Sequence, residues 1–102
     1  MINGAYARTE AFVSRRIGTE TVIVPVAEQT AHLGRHPGGH IYALNETAGL
    51  AWELFDGRRT LAEIRDTILE SYNVDAETLS ADLEELVKEL LAQSMIRLER
   101  PL

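Results

Sequence analysis

The sequence predicts a single α+β domain in which a three-stranded antiparallel sheet is followed by three α-helices. Two observations lead to this fold class. Residues 12–26 and 40–44 are rich in β-branched residues or alternate between apolar and polar ones, which is typical of strands. After Asn45 the apolar residues recur at about 3.6 positions, the period of an α-helix. With 102 residues and no cysteine, the chain can bury one core and cannot form a disulfide.

The first two strands form a predicted hairpin. Phe12–Ile17 and residues 21–26 are the strands, and Gly18 with Thr19 forms the turn, because glycine can adopt the positive φ of a tight turn. Pro25 has no N–H to donate to a sheet and is therefore expected at the end of the second strand.

A loop and a short third strand complete the predicted sheet. Residues 27–39 show neither the helical nor the strand period, and they contain four residues that break regular structure: Gly34, Pro37, Gly38 and Gly39. Residues 40–44 alternate with Tyr42 and Leu44 on one face, so they form the third strand and lead directly into the first helix.

The three helices have recognisable starts and ends. Asn45 is the expected N-cap of the first helix, which stops at Asp56 and Gly57. The second helix begins at a capping box of Thr60 and Glu63 and continues to Asn73, and the third covers residues 75–92. Its apolar stripe consists of Leu79, Leu83, Leu86, Val87, Leu90 and Leu91. Residues 95–98 either extend this helix loosely or form a small strand.

The expected domain covers residues 12–98, with a flexible N-terminus at 1–11 and a tail at 99–102. No apolar run reaches the length of a membrane span and residues 1–8 lack the apolar core of an export signal, so we expect a cytoplasmic protein without a membrane partner. The net charge is −6, and it is uneven: residues 1–40 carry +1 and residues 41–102 carry −7.

The sequence contains no convincing catalytic or metal-binding motif. His32, His36 and His40 are four residues apart, but glycines and a proline interrupt the segment, so we expect no metal there. Four serines lack any nucleophile motif (Ser14, Ser71, Ser80 and Ser94), and no glycine pattern matches a phosphate-binding or dinucleotide loop. We therefore expect a protein that is not an enzyme and needs no cofactor.

The order of elements is that of a winged helix-turn-helix, so a DNA-binding regulator is an alternative function. The charge of the third helix argues against it. This helix carries a single cation, Lys88, against six acids: Asp75, Glu77, Asp82, Glu84, Glu85 and Glu89. Because such a helix is repelled by phosphates, we expect no nucleic-acid partner. The acidic face is then either solvated or a surface that binds a partner.

The edge of the third strand is a second candidate surface. A three-stranded sheet leaves unpaired N–H and C=O groups at its edges, and another chain can pair with them. The alternative is an edge covered by the protein's own loop or tail.

Several segments resemble the PqqD family of small peptide chaperones. They are Phe12–Ile17 and residues 42–48 (YALNETA), 52–57 (WELFDG) and 60–64 (TLAEI), and the likeness covers about residues 12–98. The most specific parts are LNETA and the Trp…Asp-Gly-x-x-Thr pattern. The segment at 27–39 departs from the family by its length and by its His and Gly content.

The resemblance implies a peptide chaperone that binds the leader of a ribosomally made precursor and presents it to a maturation enzyme, often a radical-SAM protein. The pathway is pyrroloquinoline quinone biosynthesis or that of another peptide-derived product. In this family the leader lies as an added strand between the third strand and the third helix. Carried over to this chain, the peptide-binding residues are His40, Ile41, Tyr42, Ala43, Leu44, Leu79, Asp82, Leu83, Glu85 and Leu86. A purely structural subunit of a larger enzyme is a further alternative.

Overall fold

The computed structural model describes residues 4–26 and 41–101, which form two antiparallel sheets and three helices. The strands are β1 (Gly4–Arg8), β2 (Phe12–Ile17), β3 (Glu20–Pro25), β4 (Tyr42–Leu44), β5 (Asp56–Thr60) and β6 (Ile96–Pro101). The helices are α1 (Glu46–Leu54), α2 (Leu61–Ser71) and α3 (Ala76–Ala92). The predicted fold class, an α+β domain with a three-stranded antiparallel sheet and three helices, is confirmed.

The predicted sheet has the strand order β2-β3-β4. Its hairpin turns at Gly18, whose φ of +63° is the positive value expected there. Pro25 is the last residue of β3 and lies opposite Phe12. The third strand is shorter than the predicted residues 40–44, since it begins at Tyr42. His40 and the predicted loop at 27–39 lie outside the described residues.

A second sheet, of strand order β5-β1-β6, differs from the sequence-based expectation. Residues 1–11 were expected to be flexible, whereas Gly4–Arg8 forms the central strand of this sheet and buries Ala5 and Tyr6. The segment after the third helix, for which an extension and a small strand were both open, is a strand that continues beyond residue 98 to Pro101. β5 follows α1 directly, where only a helix stop at Asp56 and Gly57 was expected.

The helix N-termini are capped as the sequence predicts. The Asn45 side chain accepts a hydrogen bond from the Ala48 N–H, at 2.9 Å. At α2 the Thr60 hydroxyl accepts from the Glu63 N–H and the Glu63 carboxylate accepts from the Thr60 N–H, which completes the capping box. Asp75 caps α3 by accepting from the Thr78 N–H at 2.9 Å. These bonds satisfy N–H groups that the helices themselves leave free.

The core lies between the helices and the inner faces of both sheets. Its largest fully buried side chains are Trp52, Phe55, Ile23, Leu61, Ile64, Ile68, Leu90, Met95 and Val87. Trp52 also donates a hydrogen bond from Nε1 to the Ser14 hydroxyl, at 2.9 Å, which ties α1 to β2. Gly49 is buried against Thr21, and a Cβ at this position would collide with the Thr21 side chain. Glycine therefore lets α1 lie directly on β3, close behind the end of β4.

Candidate functional site

One edge of β4 has no strand partner among the described residues. β4 pairs with β3 through Thr21–Leu44, Val22–Ala43 and Ile23–Tyr42, and with no other strand in the part of the chain that the structure describes. An edge of this kind offers N–H and C=O groups to an added strand.

The hairpin register shows which groups point outward from β4. Only two residues separate Ile17 from Glu20, so these two residues flank a two-residue turn and form a hydrogen-bonded pair. Along an antiparallel ladder, hydrogen-bonded pairs alternate with pairs that form no hydrogen bond to each other. The β3 residues that bond to β2 are therefore Glu20, Val22 and Val24, while Thr21 and Ile23 bond to β4. Consequently the N–H and C=O groups of Tyr42 and Leu44 form hydrogen bonds to β3. The N–H and C=O of Ala43 point to the other edge of β4, which no described strand covers.

A groove begins where β4 ends. It lies between the first turn of α1 and one side of α3, and it has a volume of about 360 Å³, which is small for a ligand pocket and suited to a few side chains. We call its apolar part the apolar floor, formed by Ala48, Leu79, Leu83 and Leu86. We call its three carboxylates the acidic rim, formed by Asp82, Glu85 and Glu89. Asn45 and Thr47 complete the lining.

The structure brings the predicted helix residues together. All five of them line this groove: Leu79, Asp82, Leu83, Glu85 and Leu86. Of the predicted strand residues, those at 41–44 directly precede Asn45 of the groove lining, and His40 lies outside the described residues. Ile41 is 69% exposed, Tyr42 is half-buried, Ala43 is exposed, and Leu44 belongs to the core.

Four groove residues were absent from the sequence-based set: Asn45, Thr47, Ala48 and Glu89. The first three belong to the LNETA segment, whose likeness to a known family is itself a signal for a site. Glu89 could have been found from helical spacing, because it follows Asp82 and Leu86 on the same side of α3.

The groove's α1 wall is held rigidly. The side-chain oxygen Oδ1 of Asn45 caps the helix and also accepts from the Thr47 hydroxyl at 3.2 Å, so the donor that this side chain can offer to a ligand is its NH₂ group. Next to it, Glu46 accepts a hydrogen bond from the Tyr72 hydroxyl at 2.8 Å and lies 4.0 Å from Arg16. The bond to Glu46 raises the pKa of Tyr72 above its ordinary value. These contacts join α1 to β2 and to the end of α2.

The comparison with protein families decides the classification. A family model described as coenzyme PQQ synthesis protein D (PqqD) matches residues 20–96. The chain belongs to the PqqD family. This match includes β3, β4, all three helices and the whole groove. No curated protein matches the chain.

Two solved structures share the PqqD-family fold of this chain. One is described as TbiB1 in complex with the TbiA(beta) leader peptide; it is 25% identical, has a TM-score of 0.68, and the match covers 89% of this chain and 94% of that one. The other is a lasso peptide synthetase B1 complexed with the leader peptide; at 18% identity and a TM-score of 0.68 over 92% and 99% of the two chains, it shows similarity of fold.

A second concavity lies on the other side of α3 and is lined by Arg65, Ala76, Glu77, Ser80, Ala81 and Glu84. It adjoins α2 and not a strand edge, so it offers side-chain contacts without the main-chain pairing available at β4.

The described part of this PqqD-family protein can also be searched for a metal site and a membrane span, neither of which the sequence predicts. Within residues 4–26 and 41–101, no three metal-ligating side chains come together. The segment with His32, His36 and His40 lies outside these ranges. No helix in the described part is long and apolar enough to cross a membrane.

Proposed function

We propose that this protein binds the leader of a ribosomally made precursor peptide and presents the precursor to a peptide-modifying enzyme. The observation that carries the proposal is the edge of β4 that no described strand covers, next to the groove of α3, in a PqqD-family fold. The similar structure at 25% identity is itself a complex with a leader peptide, which supports the same ligand class.

The leader adds to the sheet as a strand next to β4. Main-chain hydrogen bonds to Ala43 supply affinity that depends little on sequence, and alternate side chains of the leader reach into the groove and supply specificity. The half-buried Leu86 and the small exposed parts of Leu79 and Leu83 make apolar contacts, and the exposed Asp82 and Glu85 offer carboxylates in the same groove. Ile41, which precedes β4, extends the proposed pairing, and His40 belongs to the proposed site on sequence grounds alone, since it lies outside the described residues.

The protein's part in this process is binding and not chemistry. Family resemblance suggests a radical-SAM enzyme as the partner, whereas one of the similar structures is a lasso peptide synthetase protein, so we propose the partner only as a peptide-modifying enzyme. The product is pyrroloquinoline quinone or another peptide-derived compound. Since precursor synthesis takes place on ribosomes, we place the protein in the cytoplasm, without a cofactor of its own.

DNA binding is a poorer explanation of the same surface. α3 carries Asp82, Glu84, Glu85 and Glu89 against Lys88, so its field repels a phosphate backbone. Salt-sensitive binding of duplex DNA in a gel-shift assay, at submicromolar protein, would favour the regulator instead. A structural subunit would co-purify with a larger protein and bind no leader.

The test is an amide chemical-shift titration with the leader of the precursor encoded beside this gene. We expect shifts at residues 41–44 and 79–86. Ala43→Pro removes the outward N–H of β4 while the bonds of Tyr42 and Leu44 to β3 remain, so binding should weaken at least about tenfold in a folded protein.

Ala43→Val is the matched control, because it retains the N–H and changes only an exposed side chain. We expect this variant to bind as the parent does. Unchanged binding by Ala43→Pro would refute strand addition at β4. Amide shifts centred on Arg65 and the second concavity, or on β2, would show that the leader binds there and not at β4.

A further inference from the structure

The acidic rim has no cationic partner within the described chain. Among residues 4–26 and 41–101, none of Asp82, Glu85 and Glu89 forms an ion pair, and no Lys or Arg lines the groove. All three side chains are exposed. The only lysine of the protein, Lys88, lies on α3 but outside the groove.

The position of these acids is unfavourable for the isolated helix. Asp82 and Glu85 are three residues apart, and Glu85 and Glu89 are four apart, so each pair places like charges on neighbouring positions of α3. Glu89 also lies in the last turn, where the helix dipole disfavours a negative charge, and that turn contains no basic residue. Lys88, three positions after Glu85, offsets only part of this repulsion, so helix stability does not favour the acidic rim as a whole, whereas a cationic ligand would.

The acidic rim is long enough to lie along two successive same-face side chains of an added strand. Asp82 and Glu89 are about 10 Å apart along the helix axis, at 1.5 Å per residue. Side chains on one face of a strand recur about every 7 Å. An added strand can therefore place one side chain on the apolar floor and the next on the same face beside a rim carboxylate.

We propose that the groove selects leaders in which a Lys or Arg stands two residues from an apolar side chain on the groove-facing side of the added strand. This inference rests on the proposed function and names the chemistry of its ligand. A Lys or Arg suits both parts of the groove, because its aliphatic stem covers apolar surface while its charged end reaches a carboxylate. The rim residues thus determine which leader sequences are preferred. The β4 edge contributes main-chain hydrogen bonds that any leader can form.

The experiment uses random 12-residue peptides displayed as a library and selected on the intact protein. For the parent protein we expect enrichment of Lys or Arg two positions from an apolar residue. With the triple variant Asp82→Asn, Glu85→Gln, Glu89→Gln, the apolar residue should still be enriched and the basic one should not. The matched control carries Glu53→Gln, Glu70→Gln and Glu77→Gln, the same charge change at exposed positions outside the groove.

Two further measurements separate specificity from structure. A selected peptide, resynthesised with a fluorophore, should bind the triple variant about tenfold more weakly than the parent, as two or three exposed ion pairs would give. In the parent this affinity should fall with added NaCl, a measurement that needs no variant. Without peptide, Glu89→Gln should unfold at a higher urea concentration than the parent, because it removes an unfavourable charge. A loss of rim charge should therefore weaken peptide binding while the protein itself becomes more stable.

The outcomes distinguish this inference from the proposed function. If peptides are selected, shift the amides of residues 41–44 and show no preference for Lys or Arg, the charge selection is wrong and strand addition stands. If no selected peptide shifts these amides, the proposed site itself fails. Equal affinity of the parent and the triple variant for the selected peptide would also overturn the role of the acidic rim.

Discussion

Ser94 ends α3 in a conformation that favours glycine. Its φ is +59°, the only positive value among the non-glycine residues that the structure describes. The N–H of Ser94 donates to the Leu91 carbonyl at 3.0 Å and the N–H of Met95 donates to the Leu90 carbonyl at 2.9 Å. This pair of bonds is the Schellman motif, whose left-handed residue is usually glycine. The turn aims the chain from α3 into β6.

Ser94→Gly should therefore stabilise the protein. The left-handed conformation costs a residue with a Cβ about 1–2 kcal/mol, and glycine avoids this cost. Glycine is also more flexible in the unfolded chain, which offsets part of the stabilisation. We expect the free energy of unfolding, measured with urea, to rise by about 0.5–1 kcal/mol. Ser94→Ala retains the Cβ and is the control; an equal gain in this variant would show that the backbone conformation is not the cause.

At the scale of single elements, capping carboxylates make the stability of α2 and α3 dependent on pH. The Thr60 N–H lowers the pKa of Glu63 from its ordinary 4.5, and the Thr78 N–H lowers the pKa of Asp75 from its ordinary 3.8. Because both pKa values are lower in the folded state, the unfolded chain binds protons first as the pH falls. The stabilisation is complete above the ordinary values and disappears as the pH drops through the folded ones.

We expect the urea midpoint to fall between about pH 5 and pH 3, and to fall less steeply when Glu63→Gln and Asp75→Asn are combined. At pH 7 this double variant should be less stable than the parent. Glu53→Gln, which changes an exposed carboxylate without a capping role, is the control for charge alone. A double variant with the full pH dependence of the parent would assign acid unfolding to other groups.

The sequence predicts the elements that carry a local signal. The hairpin of β2 and β3 has β-branched residues and Gly18, and all three helices have their caps and apolar stripes. β1, β5 and β6 lack such signals, because GAYAR, DGRRT and IRLERP contain few β-branched residues, and β5 and β6 also expose much of their length. Their stability comes from pairing with segments far away in the chain, which no local pattern shows.

One side of the groove could be predicted from sequence, and the other side depends on a tertiary contact. Helical spacing and family resemblance predict the α3 side of the groove, including Leu79 and Asp82. The α1 side depends on how closely α1 approaches β3 at Gly49, which is a tertiary contact. Asn45 could be read as a helix cap from sequence, but not as a wall of the groove.

At the scale of the whole molecule, β1 joins parts of the chain that are far apart in sequence. It pairs with β5 on one side and with β6 on the other. Tyr6 on this strand is 3% exposed, and its ring meets that of Phe55 edge to face, with 6.5 Å between the centroids. β1 therefore belongs to the same core as the helices that form the groove.

Tyr6→Ala should destabilise the whole domain by about 3–4 kcal/mol, because it leaves a large cavity next to Phe55. We expect one cooperative urea transition, detected both by the fluorescence of Trp52 and by circular dichroism, at a lower midpoint. Arg8→Ala, at an exposed position of the same strand, should change stability little. Loss of β1 without any change at Trp52 would show that the second sheet unfolds independently.

The pairing of Gly4 with Pro101 also determines how the protein resists mechanical force. In antiparallel strands the hydrogen bonds run across the strands, so a pull that separates these two paired ends loads the bonds between β1 and β6 one after another from the end. The strands therefore unzip and do not shear, which needs less force. An unfolding protease that engages one end while the other is anchored, for example by fusion to an enzyme, should open this domain with little mechanical resistance.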